Sequence, residues 1–236
     1  MSYVAYQDRV AANAAVQERI DFVRRTYMHL GGAILAFAGL CAVFVNSSFG
    51  EGLTQWAFSG RWNWLMVLGG FIVVGAVAER WAMSGGNPSK HYLGLAVYVT
   101  AQAIVTTPLL FIAANFAGDA NVIPMAGMLT LIIFGGLTVT VFVTKKDFSF
   151  MGRALQLASF GAMGFILVGI IFGFSFGAFF SSAMVLLMAG YVLYSTSNIL
   201  RRYPIGSHVA ASLALFATIA TMFWYVLQLV MSANSD

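Results

Sequence analysis

The sequence predicts an all-α integral membrane protein with seven transmembrane helices, its amino terminus cytoplasmic and its carboxyl terminus outside. Three observations carry this. The 236 residues are 60% hydrophobic and only 8% charged, whereas soluble domains carry about 25% charge. The apolar residues run in long unbroken stretches, not in the short alternating segments of a β-barrel. The basic residues gather at every second junction between those stretches.

The clearest stretch is 154–200, which holds no Asp, Glu, Lys, Arg or His. It is long enough for two helices of about 20 residues and a turn. The turn falls at Gly173-Phe174-Ser175-Phe176-Gly177, with Lys145, Lys146 and Arg153 in front of the pair and Arg201 and Arg202 behind it. Both cationic ends then lie on one side of the membrane.

The remaining elements follow in chain order. Residues 1–25 form a cytoplasmic amino-terminal segment in which Ala12, Val16, Ile20 and Val23 recur at helical spacing. An interfacial helix fits that spacing, and so does a solvated polar lead-in. No cleavable signal peptide is expected in so polar a start. The seven-helix domain covers 26–231, with spans near 26–46, 62–83, 91–115, 121–143, 154–173, 178–199 and 209–231, and 232–236 form a short outer tail. Each span suits a hydrocarbon core of about 30 Å. Arg9, Arg19, Arg24, Arg25, Arg80, Lys90, Lys145, Lys146, Arg153, Arg201 and Arg202 fall on the amino-terminal side, leaving only Arg61 opposite. That bias orients the chain and explains its net charge of +4 without nucleic acid. Gly169, Gly173 and Gly177, spaced by four, read as a small-residue track for close helix packing. Pro108, after Thr106 and Thr107, is expected to kink span three.

The chemistry such a chain can host is limited. Cys41 is the lone cysteine and sits mid-span, so no intrachain disulfide can form. The hairpin turn matches G-x-S-x-G, but a nucleophile elbow needs a strand before its serine and a base beside it. Here both flanks are helical, and His29, His91 and His208 map to the other side of the membrane. No His or Cys pair has metal-ligand spacing, and no lysine lies inside a span to hold retinal. We therefore expect no enzyme, no catalytic residues, no bound metal and no cofactor. Ionisable groups near spans are the usual functional pointers. Glu79 and Arg80 close span two, where Glu79 could reach a cavity or the two could snorkel to water as an interfacial pair. His29, one turn into span one, could titrate near neutral pH or stay a satisfied interfacial histidine. Asn46-Ser47-Ser48 is a glycosylation sequon too close to the predicted membrane surface to carry weight.

Two motifs add a resemblance. Thr144-Lys145-Lys146-Asp147-Phe148-Ser149-Phe150-Met151-Gly152 is similar to the loop between the fourth and fifth spans of the Bax inhibitor-1 family. Tyr191-Val192-Leu193-Tyr194-Ser195-Thr196-Ser197-Asn198-Ile199 resembles that family's sixth-span signature. The likeness covers about 26–231. It implies a seven-helix bundle around a central last helix. It also implies calcium leak or pH-sensitive behaviour in some members, and control of membrane-protein turnover or cell stress in others. The leak is tied in the family to two buried aspartates. Ser195 stands at the first of those places, and Thr218, by a spacing match through Leu213-Ala214-Leu215-Phe216-Ala217-Thr218, at the second.

Two close carboxylates can share a proton and sense pH or a cation. A serine and a threonine cannot, although they can hydrogen-bond to each other or to a backbone carbonyl and latch two helices. The expected function is a non-enzymatic regulator or accessory partner in a lipid bilayer. Its partners would be other membrane proteins, such as a protease or a larger respiratory or transport complex, and the setting a bacterial inner membrane. The alternative is a calcium or proton leak of the Bax inhibitor-1 type, with Glu79, His29 and a cavity by Ser195 and Thr218 along its path.

Overall fold

A computed structural model describes residues 10–84, 88–117, 119–173 and 177–234. Among them lie eight α-helices: α1 (Val16–Val45), α2 (Ser48–Phe58), α3 (Arg61–Ala82), α4 (Pro88–Phe116), α5 (Val122–Thr144), α6 (Gly152–Phe172), α7 (Gly177–Arg201) and α8 (His208–Ala233). A short 3₁₀ turn, Ser149–Met151, leads into α6. All but α2 are long and apolar enough to cross a membrane, and they coincide with the seven expected spans. Helices dominate because lipid offers no partner to a backbone N–H or C=O, so each must be satisfied within its own segment.

The last helix is the axis. Ala211, Leu215, Phe216, Met222 and Leu227 of α8 are almost wholly buried, and α8 packs against α1, α3, α4, α5 and α7. Phe216 meets Phe37 of α1 and Tyr98 of α4 edge-on, with ring centroids 5.7 and 6.2 Å apart. The outer helices turn apolar side chains outward, among them Leu35, Ile72, Val73, Phe160 and Phe179. In a bilayer that face costs nothing, because lipid tails are as apolar as the side chains. Helices α3 and α4 cross closely at Gly94, where a Cβ would stand 2.5 Å from the Ala78 carbonyl oxygen and 2.9 Å from the Ala82 nitrogen.

Four details differ from the sequence expectation or extend it. Residues Val16 to Arg25 are the opening turns of α1 itself, continuous with span one. Helix α2 has no counterpart among the expected spans; its 11 residues reach about 16 Å, too short to cross. Ser47 caps it by accepting from the Gly50 N–H at 3.4 Å, and Asn46 donates to the Ala42 carbonyl. The glycine track is corrected. Gly173 ends α6 at φ 78° and Gly177 opens α7 at φ 57°. Both therefore stand at helix ends in the left-handed conformation, and Gly169 alone of the three is buried within a helix face. Helix α4 runs on through Pro108. The hydroxyls of Thr106 and Thr107 bond back to the Gln102 and Ala103 carbonyls.

Candidate functional site

The polar chemistry collects at one end of the bundle, where α1, α4, α6 and α8 begin and α3, α5 and α7 finish. Helix α5 ends because Lys145 adopts the left-handed conformation, φ 51°, a region costly for a residue with a Cβ. The turn is held from both sides. The Asp147 carboxylate accepts from the Ser149 N–H at 2.9 Å and from the Ser197 hydroxyl at 3.1 Å. The Ser197 oxygen in turn accepts from the Phe148 N–H at 3.0 Å. Arg202 donates to the Ser149 hydroxyl at 2.5 Å, and the Arg201 guanidinium donates to the Lys145 carbonyl. These contacts hold the Asp147 carboxyl below its ordinary value. The Ser149 backbone N–H contributes most, followed by the Ser149 hydroxyl; burial opposes them, and the Ser197 hydroxyl and the charge of Arg201 add smaller downward effects.

The two motifs far apart in sequence thus meet, the first wrapped onto the end of the second. Tyr194 packs against Gly152, where a Cβ would come within 2.6 Å of its ring. Tyr191 shares a hydrogen bond with Ser159 at 3.0 Å. Sequence reasoning singled out the two motifs but missed their contact. The signal was the run of small polar residues Ser195 to Asn198 at the end of an otherwise apolar span.

A second cluster sits beside the first. His29 lies with its ring centroid 4.9 Å from His208 and 5.5 Å from Tyr92, and its Nδ1 donates to the Arg25 carbonyl at 2.7 Å. His91 bonds the Ser84 carbonyl. Glu79 and Arg80 are exposed at the end of α3. Burial pushes the Tyr203 hydroxyl upward, and the Glu79 charge and Tyr194 add to the shift. The amino-terminal segment closes over this region. Val10 forms an antiparallel bridge with Pro204, and the Ala11 N–H donates to the Tyr203 carbonyl at 2.9 Å.

The interior is built from neutral groups. The buried polar side chains among the described residues are Thr, Ser, Gln and Asn. Ser195 and Thr218 are 9% and 8% exposed, on the two helices that pack most closely along the axis. Thr218 donates to the Ala214 carbonyl one turn back, at 3.0 Å. The hydrogen bond that ties α7 to α8 runs instead from Ser181 to Gln228, at 2.8 Å. The Tyr27 hydroxyl faces those of Thr138 and Thr196, and none of the three completes a hydrogen bond. Among the described residues no three His, Cys, Asp or Glu side chains converge as a metal site. Phe174, Ser175 and Phe176, the heart of the G-x-S-x-G match, lie outside the described residues. Gly173 beside them packs on Arg61, whose guanidinium donates to the Ile171 carbonyl at 3.0 Å and so closes the end of α6.

Comparison with known proteins agrees with this architecture. A family model described as "Inhibitor of apoptosis-promoting Bax1" matches residues 19–236. The chain is 28% identical to Bax inhibitor 1 of Schizosaccharomyces pombe, over 95% of this chain and 82% of that protein. It is 25% identical to an uncharacterised protein of Helicobacter pylori, over 90% and 87% of the two chains. It is 29% identical to an uncharacterised protein of Campylobacter jejuni, over 58% of this chain and 60% of that protein. A family match over nearly the whole bundle, with both motifs joined at one end of it, means that this chain belongs to the Bax inhibitor-1 family.

Proposed function

We propose that this family member is a non-enzymatic regulatory or accessory partner of other membrane proteins. It sits with its amino terminus cytoplasmic and its carboxyl terminus outside, in a bacterial inner membrane. The observation that carries the reading is the neutral interior. Ser195 and Thr218 stand where the family's acidic pair is expected, and Thr218 is spent on its own helix. Neither side chain changes charge across the physiological range, so the pair cannot act as an acidic sensor. The orientation rests on eleven of twelve basic residues falling on the amino-terminal side. Partners of matching character are a membrane protease or a larger respiratory or transport complex.

The test is the mass and composition of the native particle after mild detergent extraction. A stoichiometric second protein supports the reading; a particle no larger than one chain and its micelle counts against it. Purified chain in liposomes gives an independent check, since calcium flux with a steep pH dependence would refute the loss of the sensor. A calcium or proton leak is the second reading. It is favoured by the unsatisfied hydroxyls of Tyr27, Thr138 and Thr196, which leave a polar seam inside the bundle. It predicts flux that Glu79→Gln reduces.

A further inference from the structure

The basic end carries a recess beside the joined motifs. It encloses about 710 Å³ between the start of α1, the turn after α5 and the end of α7. Five cations line it: Arg19 and Arg24 from α1, Lys145 and Lys146 from the turn, and Arg201 from α7. Its remaining wall is apolar, with Ile20, Val23 and Phe142 prominent. Three separate elements therefore bring positive charge to one concavity with a greasy flank.

Little of this charge is ion-paired among the described residues. Among the described residues Arg24 pairs with Asp21, at 3.8 Å, and Arg19, Lys145, Lys146 and Arg201 form no ion pair. Asp147 is the nearest acid in the turn, yet its carboxylate is directed to Ser149 and Ser197. Its charge is felt by Arg201, but it forms no ion pair with Lys145 or Lys146. Orienting a membrane chain requires cations in short loops, but it does not require them to converge. Five converging cations repel one another unless an anion of matching size joins them.

We propose that this recess binds the phosphate of an anionic phospholipid, with an acyl chain lying along Ile20, Val23 and Phe142. The recess lies at the end of membrane-spanning helices, where headgroups reside, and its mixed lining matches a phosphate joined to a hydrocarbon chain. Arginine and lysine at such depth attract anionic headgroups, and basic pockets between helices are a recurrent form of lipid site. A free anion would gain the charge contacts but leave the apolar flank unused. The inference is independent of whether the chain regulates partners or conducts ions.

The test uses the full-length chain in neutral detergent, titrated with acyl-labelled phosphatidylglycerol and, separately, with phosphatidylcholine carrying the same label. Saturable binding of phosphatidylglycerol at least tenfold tighter than phosphatidylcholine is expected. Arg19→Gln with Lys146→Gln, two exposed cations whose side chains hold no other residue, is expected to weaken it about 10- to 30-fold. Lys90→Gln with Arg153→Gln removes the same charge from the same end outside the recess and is expected to change it by less than about twofold. Arg19→Lys with Lys146→Arg keeps the charge, controls for folding and is expected to retain binding. Equal losses in the two glutamine pairs would overturn the proposal in favour of diffuse attraction. So would equal affinity for the two lipids. Inorganic phosphate or glycerol phosphate competing as well as the lipid would overturn it in favour of a free-anion site.

Discussion

Replacing Ser197 by Ala tests whether the joined motifs are a built device. Ser197 is fully buried and spans two partners: it accepts from the Phe148 N–H at 3.0 Å and donates to Asp147 at 3.1 Å. Alanine leaves the Phe148 N–H without its acceptor and removes one donor from Asp147, which keeps the Ser149 N–H. An unsatisfied buried donor costs about 1–3 kcal/mol. Phe148 is half-buried, so water offsets part of the loss, and about 1–2 kcal/mol is expected to fall on the turn alone. That corresponds to a 5- to 30-fold larger open population. The turn carries its own reporter, because Lys145 and Lys146 are exposed trypsin sites. When opening is fast relative to cleavage, the rate follows the open population. Tryptic cleavage at 145–146 in detergent should therefore accelerate 5- to 30-fold in Ser197→Ala, with thermal unfolding of the whole bundle little changed. An unchanged cleavage rate in a folded variant would refute the view that Ser197 holds the turn.

Three further outcomes are expected. The Asp147 carboxyl is held below its ordinary value, so the folded turn binds fewer protons than the open one. Its stabilising contribution is complete above about pH 4 and lost as pH falls below that; amide exchange at Ser149, corrected for intrinsic rate, should show protection falling only in that acid range. Gly94→Ala places a methyl 2.5 Å from the Ala78 carbonyl and 2.9 Å from a backbone nitrogen, so α3 and α4 must separate. Overpacking of about 1–3 kcal/mol should outweigh the helix-propensity gain of about 1 kcal/mol and lower Tm by several degrees. Gly69→Ala, which meets open space, should leave Tm equal or slightly higher; a matching loss in both would show that the crossing is not the cause. Arg61→Gln removes a charge-assisted bond to the Ile171 carbonyl. At an exposed site about 0.5–1 kcal/mol is expected, read as a Tm lower by about 1–4 °C.

The spans were legible because bilayer thickness imposes a length that composition alone reveals. Residues 154–200 announced α6 and α7, and the agreement of the helix bounds there is within a residue or two. Helix α2 was not legible by the same rule, since it is too short to cross and is defined by its Ser47 cap and its packing on α4. The glycine spacing misled because a four-residue repeat looks the same along a helix face and across two helix ends. Only backbone dihedrals separate Gly169 from Gly173 and Gly177. His29 and His208 were placed at one side of the membrane from sequence, but their 4.9 Å approach depends on α1 and α8 being neighbours, which no local pattern encodes.

The same distinction explains where chemistry is to be sought in this chain. A charge inside a span is expensive and therefore visible in sequence as a functional pointer. This chain places neutral hydroxyls and amides at its centre, so that pointer is silent there. Its charges lie where lipid headgroups and water make them cheap, and at such positions single residues carry little information. Information returns only when the fold shows which charges converge and which are already occupied. Asp147 is occupied by Ser149 and Ser197, and Arg202 by Ser149, which ties the turn to the end of α7. Arg19 and Lys146 bind no carboxylate among the described residues, yet they line the same recess from different elements. The fold thus separates the charged groups that tie the turn from those that face the recess, a division that no single position in the sequence reveals.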